Sequence, residues 1–248
     1  MRIIISPAKK MNVDRDSFPV SALPRFLERT ERLCHALQGM DAPVLKALWK
    51  CNDAIAKLNV ERLVHMDLRQ GLTPAIVSYE GIQYRYMAPG VFTSDELAYV
   101  EEHLRILSGF YGVLRPMDGV TPYRLEMQAK LAVDGCRALY EFWGGQLAEA
   151  VFAETDCVVN LASKEYSRCV TKYRPAGKRL VTCVFGEEQN GKIIEKGTLC
   201  KMARGEMVRF AAEIQAQSPE ELQAFDRLGY RFVPERSDGD TYVFIKEE

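Results

Sequence analysis

The stretch from Ser108 to Met127, SGFYGVLRPMDGVTPYRLEM, limits the fold more than any other part of the chain. It carries Gly109, Gly112, Gly119, Pro116 and Pro122, and shows neither helical nor strand periodicity. Glycine takes positive φ without steric cost and proline stops a helix from propagating, so no long regular element crosses this region. Yet Tyr111, Arg115, Asp118, Tyr123, Arg124 and Glu126 all ride on that irregular backbone. Two readings stand open. In one, Arg115 with Asp118 and Arg124 with Glu126 are internal ion pairs that fix an ordinary loop. In the other, the stretch is one wall of a site, its arginines facing an anion and its tyrosines offering planar surfaces.

Regular elements flank it. RIIIS at the start is a β-branched run ended by Pro7 and reads as a buried strand. From Ser21 to about His65 apolar residues recur at helical spacings, and AIVSYEGIQYRYM (75–87) reads as extended chain around a central glycine. A helix beginning at Ser94, with Glu96 just inside, carries Leu97, Val100, Leu104 and Leu107 on one side. Followed by the Gly109 turn, it resembles half of a helix-hairpin-helix, a motif that presents backbone N–H groups to DNA phosphates. The fit is incomplete, because the glycines stand one residue too far apart and Pro116 breaks the second helix. Further on come a helix over 138–154 bent at Gly144–Gly145, a strand CVVNLAS, and a helix capped by Ser163. A hairpin about Asn190–Gly191, a helix containing Gly205 and a second hairpin about Asp238–Gly239 complete the chain. With no repeat or low-complexity linker, residues 1–248 read as a single compact α+β domain, a mixed β-sheet with surrounding helices.

Composition bounds the function. Hydrophobic content of 47% with 27% charge is that of a globular chain with a substantial core. No apolar run is long enough for a membrane span, and MRIIISPAKK lacks the form of a signal peptide. Seven scattered cysteines without a CxxC pair imply reduced thiols and a cytoplasmic location. The net charge of −1 conceals an asymmetry: Leu161–Phe210 holds eleven Lys or Arg against five Glu, whereas the following tail is acidic. That pattern either is solvated surface or marks a basic face.

Most catalytic signatures fail. GEEQNGKI has the spacing of a phosphate-binding loop, but Ile193 stands where a Ser or Thr would bind magnesium, and it sits on a hairpin. Ser6-Pro7-Ala8-Lys9 has the Ser–Lys spacing of a nucleophile without its companion elements. His35, His65 and His103 lie apart, so neither a metal site nor a cofactor is expected.

Two basic groupings survive. Lys164, Arg168 and Lys172 follow one another at helical spacing after the Ser163 cap, where helix dipole and side chains favour the same anion. Lys201 and Arg204 lie one turn apart, with Arg209 further round the same helix. Gly205 beside them costs roughly 1 kcal/mol in a helix interior, which points either to a tight helix crossing or to close approach of a phosphate.

IISPAK at 4–9, HLRILSGFYGVLRPMD at 103–118, PYRLEM at 122–127, FWG at 142–144 and VVNLAS-EY at 158–166 appear in this order. NGK at 190–192, ARG-M-RF at 203–210 and GY-F near 229–232 follow. In these blocks the chain closely resembles the YaaA family of bacterial peroxide-stress proteins. The resemblance implies a cytosolic protein that helps cells survive hydrogen peroxide, linked to low free iron and to DNA repair. It also implies a fold particular to the family, with a positively charged cleft and a helix-hairpin-helix element, and binding of duplex or branched DNA without sequence preference. Two departures lower the expected cleft charge: Glu80 and Met202 stand where the family carries basic residues.

From the basic clusters inside these blocks, Lys9, Lys10, Arg115, Arg124, Lys164, Arg168, Lys172, Lys201, Arg204 and Arg209 are expected to contact DNA phosphates. Ser6, Tyr111, Asp118, Tyr123, Glu126 and Asn160 are expected to line the same cleft. The alternative is an enzyme acting on an anionic small molecule there, with Asn160, Tyr123, Asp118 or Glu126 converging on one point. A dedicated iron site is the least supported reading.

Overall fold

β1 (Arg2–Ile5) lies between two parallel neighbours, and all three isoleucines of RIII are essentially inaccessible. Such a run is apolar on both faces because helices cover both sides of the sheet. The computed structural model, which describes residues 1–247, is a single α+β domain built on this strand.

The other strands of the main sheet are β5 (Leu104–Ser108), β6 (Gly112–Leu114), β8 (Cys157–Leu161), β9 (Arg179–Gln189), β10 (Lys192–Ile194), β11 (Tyr230–Phe232) and β12 (Thr241–Lys246). Short pairs outside it are β2 (Lys10–Met11) with β4 (Tyr79–Glu80), and β3 (Thr73–Pro74) with β7 (Gly119–Val120). The eight-stranded sheet runs in the order β11-β12-β9-β8-β1-β5-β6, with β10 added to β9. Strands β12, β9, β8, β1 and β5 are mutually parallel, and antiparallel β11 and β6 close the two edges, so the sheet is mixed.

Helices Ser94–His103 and Gly197–Glu213 pack together, as do Gln146–Phe152 and Lys164–Thr171. The second hairpin joins an aromatic cluster in which Phe185 stacks on Phe244 and meets Phe225 and Tyr230 edge-on.

Several local expectations change. The helix expected to reach Leu107 ends at His103, and its cap is Thr93, whose capping box with Glu96 is complete. Leu104–Ser108 is instead a strand paired antiparallel with Gly112–Leu114. The expected helix-hairpin-helix is therefore a helix followed by a β-hairpin. The cause is burial: all five residues of β5 are buried inside the sheet, and this context overrides their helical spacing. Segment 75–87 is extended only at Tyr79–Glu80, since Ala75–Ser78 forms one helical turn before it and Ile82–Met87 a short helix after Gly81. The bend near Gly144 is present as a break between helices Leu139–Trp143 and Gln146–Phe152, with Gly144 at φ 49°.

The irregular stretch is mostly core. Tyr111 is fully buried, and Tyr123 stacks on Phe110 while its hydroxyl meets Ser108 Oγ at 2.6 Å and Tyr79 Oη at 2.9 Å. Gly109 is needed for close approach: a Cβ there would stand 2.7 Å from the Leu125 carbonyl oxygen. The Gly109 carbonyl in turn accepts the Trp143 indole N–H at 3.0 Å.

Candidate functional site

β1 and β8 are neighbours, but the chain leaving β1 returns on one side at β5, and the chain leaving β8 returns on the other at β9. In an open parallel sheet, such a reversal opens a crevice at the carboxyl ends of the two strands, where ligands bind. Ser6 follows β1 and Ser163 follows β8. Ser163 N–H donates to Ser6 Oγ at 2.8 Å, and the two hydroxyls are 3.2 Å apart. The buried Tyr84 hydroxyl donates to the Ser6 carbonyl at 3.0 Å. Asn160 Oδ1 accepts from Ala162 N–H, and its amide donates to Thr182 Oγ1. These contacts lock the strand ends together. The Ser163 hydroxyl makes no capping bond to the helix it precedes.

Beside this junction is a narrow slot between Ala8, Lys9, Arg124, Glu126 and Tyr166. Glu126 accepts from Lys9 Nζ at 2.9 Å and from Arg124 at 3.4 Å. Lys9 and Ser6 therefore have different partners, and the Ser–Lys spacing does not make an activated pair. The Arg124 side chain is 10% exposed, and its Nε is buried without a hydrogen-bond partner. Glu165 joins the group, accepting from the Gln128 backbone N–H. Burial pushes its carboxyl above the ordinary range, helped by the Glu126 charge and opposed by Lys9.

Next to the slot, Lys164, Arg168 and Lys172 are all exposed along one helix. Lys164 is 96% exposed, and its nearest acid is Glu195 at 3.8 Å. Arg168 lies over the Tyr140 ring and Lys172 over that of Tyr173. Glu195 also pairs with Arg204 at 3.5 Å, which ties the two basic groupings to one place. Lys201, one turn before Arg204, is exposed without an ion pair among the described residues.

The sequence asymmetry is largely consumed elsewhere. Acids of the tail neutralise the preceding segment through Arg174–Asp240, Arg179–Glu220 and Arg209–Glu213. Lys10 pairs with Glu80 at 2.7 Å, so the acidic departure at position 80 removes one cation from any face.

The expected single trough does not form. Arg115 and Asp118 lie toward the opposite, amino end of the parallel strands, beside Arg105 and Glu154. Arg115 follows β6, which runs antiparallel to β5 and so delivers it to the end where β1 begins. Asp118 is buried and accepts the Arg115 backbone N–H at 2.8 Å, so this pair fixes the turn rather than forming a side-chain bridge. Arg209 is held by Glu213. Tyr111 and Tyr123 offer no open planar face. Brought together at the carboxyl end are Ser6, Lys9, Arg124, Glu126, Asn160, Lys164 and, through Glu195, Arg204 with Lys201 one turn before it, while Arg168 and Lys172 follow Lys164 along the helix that leaves this end. Sequence reasoning missed Glu165, Tyr166 and Glu195, although the first two stand inside the quoted VVNLAS-EY block.

The family described as Peroxide stress protein YaaA matches residues 1–236. A UPF0246 protein of Pediococcus pentosaceus is 51% identical over 248 residues, covering 100% of this chain and 99% of its own. One from Lachnoclostridium phytofermentans is 52% identical over 248 residues, with 100% and 97% covered. One from Lactiplantibacillus plantarum is 48% identical over 245 residues, with 99% of each covered. The chain belongs to the YaaA peroxide-stress family.

Proposed function

We propose that this peroxide-stress protein acts in the cytoplasm by holding DNA, duplex or branched, on the basic face at the carboxyl ends of β1 and β8. The observation that carries the reading is the run of exposed Lys164, Arg168 and Lys172, joined through Glu195 to the helix of Lys201 and Arg204. Lys164, Arg168, Lys172 and Lys201 are exposed and hold no short ion pair, so phosphates can reach these four, whereas Arg204 is only 13% exposed and stands behind them. Binding of this kind reads the backbone and not the bases, since exposed Lys and Arg side chains engage phosphates whatever the sequence. Protection of DNA and support of its repair follow from occupancy, and the effect on free iron is indirect. Among the described residues no group of three or more His, Cys, Asp or Glu side chains is arranged to hold a metal ion. Among the described residues no helix is long and apolar enough to cross a membrane.

A titration of duplexes of unrelated sequence against salt tests this. Four cations engaging phosphates give a log–log slope of about −3 to −4, or a loss of about 100-fold between 50 and 200 mM salt. The same slope is expected for every sequence. Affinity that ignores salt, or one duplex bound far more tightly than the rest, contradicts it.

A second reading draws on the slot. Glu165 with its raised pKa, Glu126, Lys9 and the unpartnered Arg124 Nε form a mixed cluster of the kind that catalysis on an anionic small molecule uses. It requires the Lys9–Glu126 pair to open, because the slot as it stands admits no more than a water-sized group.

A further inference from the structure

A separate cavity of about 230 Å³ opens at the amino end of the parallel strands, away from the face just described. Arg25, Arg105, Arg115, Asp118 and Glu154 line it. Arg105 comes from near the start of β5 with a side chain only 4% exposed, and it donates to Glu154 Oε2 at 2.9 and 2.6 Å. The same oxygen accepts Arg2 Nε at 3.1 Å. One carboxylate thus already serves two guanidinium groups.

Arg115 is left short of a partner. Its Nη2 stands 3.8 Å from Glu154 Oε1, beyond hydrogen-bond reach, and its side chain is 57% exposed. Arg25 is exposed and has no ion pair among the described residues, resting only against the Phe26 ring. Asp118 is occupied by a backbone N–H. Burial, reinforced by nearby Glu101, raises its pKa to about 6. The cavity therefore carries more guanidinium than carboxylate charge, with two planar forks free to grip an oxyanion in bidentate fashion.

The rest of the lining is apolar, with Leu23, Val113 and Val151 facing the space. Its volume falls below the roughly 300–1,000 Å³ of pockets that take drug-sized ligands, so a nucleotide is too large. We propose that this cavity binds a small organic anion, its phosphate or carboxylate head held by Arg115 and Arg25 and its short aliphatic body against Leu23, Val113 and Val151. The site is independent of the DNA-binding face, and either stands if the other fails.

Calorimetric titration of the full chain at low ionic strength tests it, with butyl phosphate, valerate and inorganic phosphate as probes. Saturable binding of at least one organic probe is expected, weakened about tenfold or more in both Arg115→Gln and Arg25→Gln. Thermal unfolding of each variant shows that the fold is kept, since both side chains are solvent-facing. Preference for butyl phosphate assigns the head as a phosphate ester, and preference for valerate assigns a carboxylic acid. No saturation by either organic probe at millimolar concentration would overturn the proposal. So would undiminished binding by the variants, or inorganic phosphate binding as tightly as the preferred organic probe.

Discussion

Gly205→Ala is expected to destabilise the protein by about 2–3 kcal/mol, in spite of alanine's better helix propensity. In helix Gly197–Glu213 this residue is fully packed against helix Ile82–Met87. A Cβ at position 205 would fall onto the carbonyl oxygen of Gln83, well inside contact distance, with the Met87 backbone nitrogen at 3.0 Å as a second obstacle. Backbone atoms cannot rotate aside as a side chain can, so the two helices must separate. Overpacking of this sort costs about 1–3 kcal/mol and more where the backbone is the obstacle, while the change from glycine returns about 1 kcal/mol. For a chain of this size the midpoint of thermal unfolding should fall by about 5–10 °C. An equal or higher midpoint would show that the crossing is looser than described. The same crossing sets where Lys201 and Arg204 stand, so the glycine serves the basic face indirectly. Of the two roles open to it in the sequence, the structure shows the tight crossing.

Asp118→Asn should change how stability depends on pH. Burial holds the Asp118 carboxyl at about 6 against an ordinary value of 3.8, with Glu101 adding to the shift and the Arg115 N–H opposing it. Arg115 and Arg105 face it as well and pull in the same downward direction. Because the folded value lies above the unfolded one, the folded chain keeps a proton that the unfolded chain has already released between about pH 4 and pH 6. Its stabilising contribution is full below pH 4 and declines as pH rises to about 6. The decline amounts to up to about 3 kcal/mol for a shift of about two units. Asparagine keeps an acceptor for the Arg115 N–H but cannot ionise. Urea unfolding of both proteins at constant ionic strength should therefore show the variant gaining about 2–3 kcal/mol on the parent between pH 4 and pH 7. A difference that does not move with pH would mean that Asp118 is better solvated than its burial indicates.

How far the sequence could be read depended on whether the deciding interaction was local. β1 and β8 were legible because a short β-branched apolar run, bounded by turn residues, suits a strand covered on both faces. The hairpin at Asn190–Gly191 was legible because both residues need positive φ, and they have it at 51° and 74°. β5 was not legible. Leu104 and Leu107 fit a helical stripe as well as a strand, and only partners far away in the chain, Ile3 to Ile5 on one side and Gly112 to Leu114 on the other, decide between them.

The same divide governs the site. Lys164, Arg168 and Lys172 could be placed on one stripe, because helical spacing alone sets it. Which cations stay free could not be read, because their acids come from distant segments: Glu154 for Arg105, Asp240 for Arg174, Glu220 for Arg179. The tail that looked like a separate acidic region is the counter-charge of the basic one. Arg115 was grouped with the wrong cations for a topological reason, since the turn at Gly109 to Tyr111 sends the chain back toward the amino end of the sheet.

The most direct measurement compares salt slopes of duplex binding for the parent, for Lys164→Gln combined with Lys201→Gln, and for Arg115→Gln. If DNA lies on the carboxyl-end face, the double variant loses about 0.9 from the slope for each phosphate contact removed, close to two in total. Arg115→Gln then keeps the parent slope. Equal losses in both proteins, or an unchanged slope in the double variant, would contradict the assignment of the DNA face.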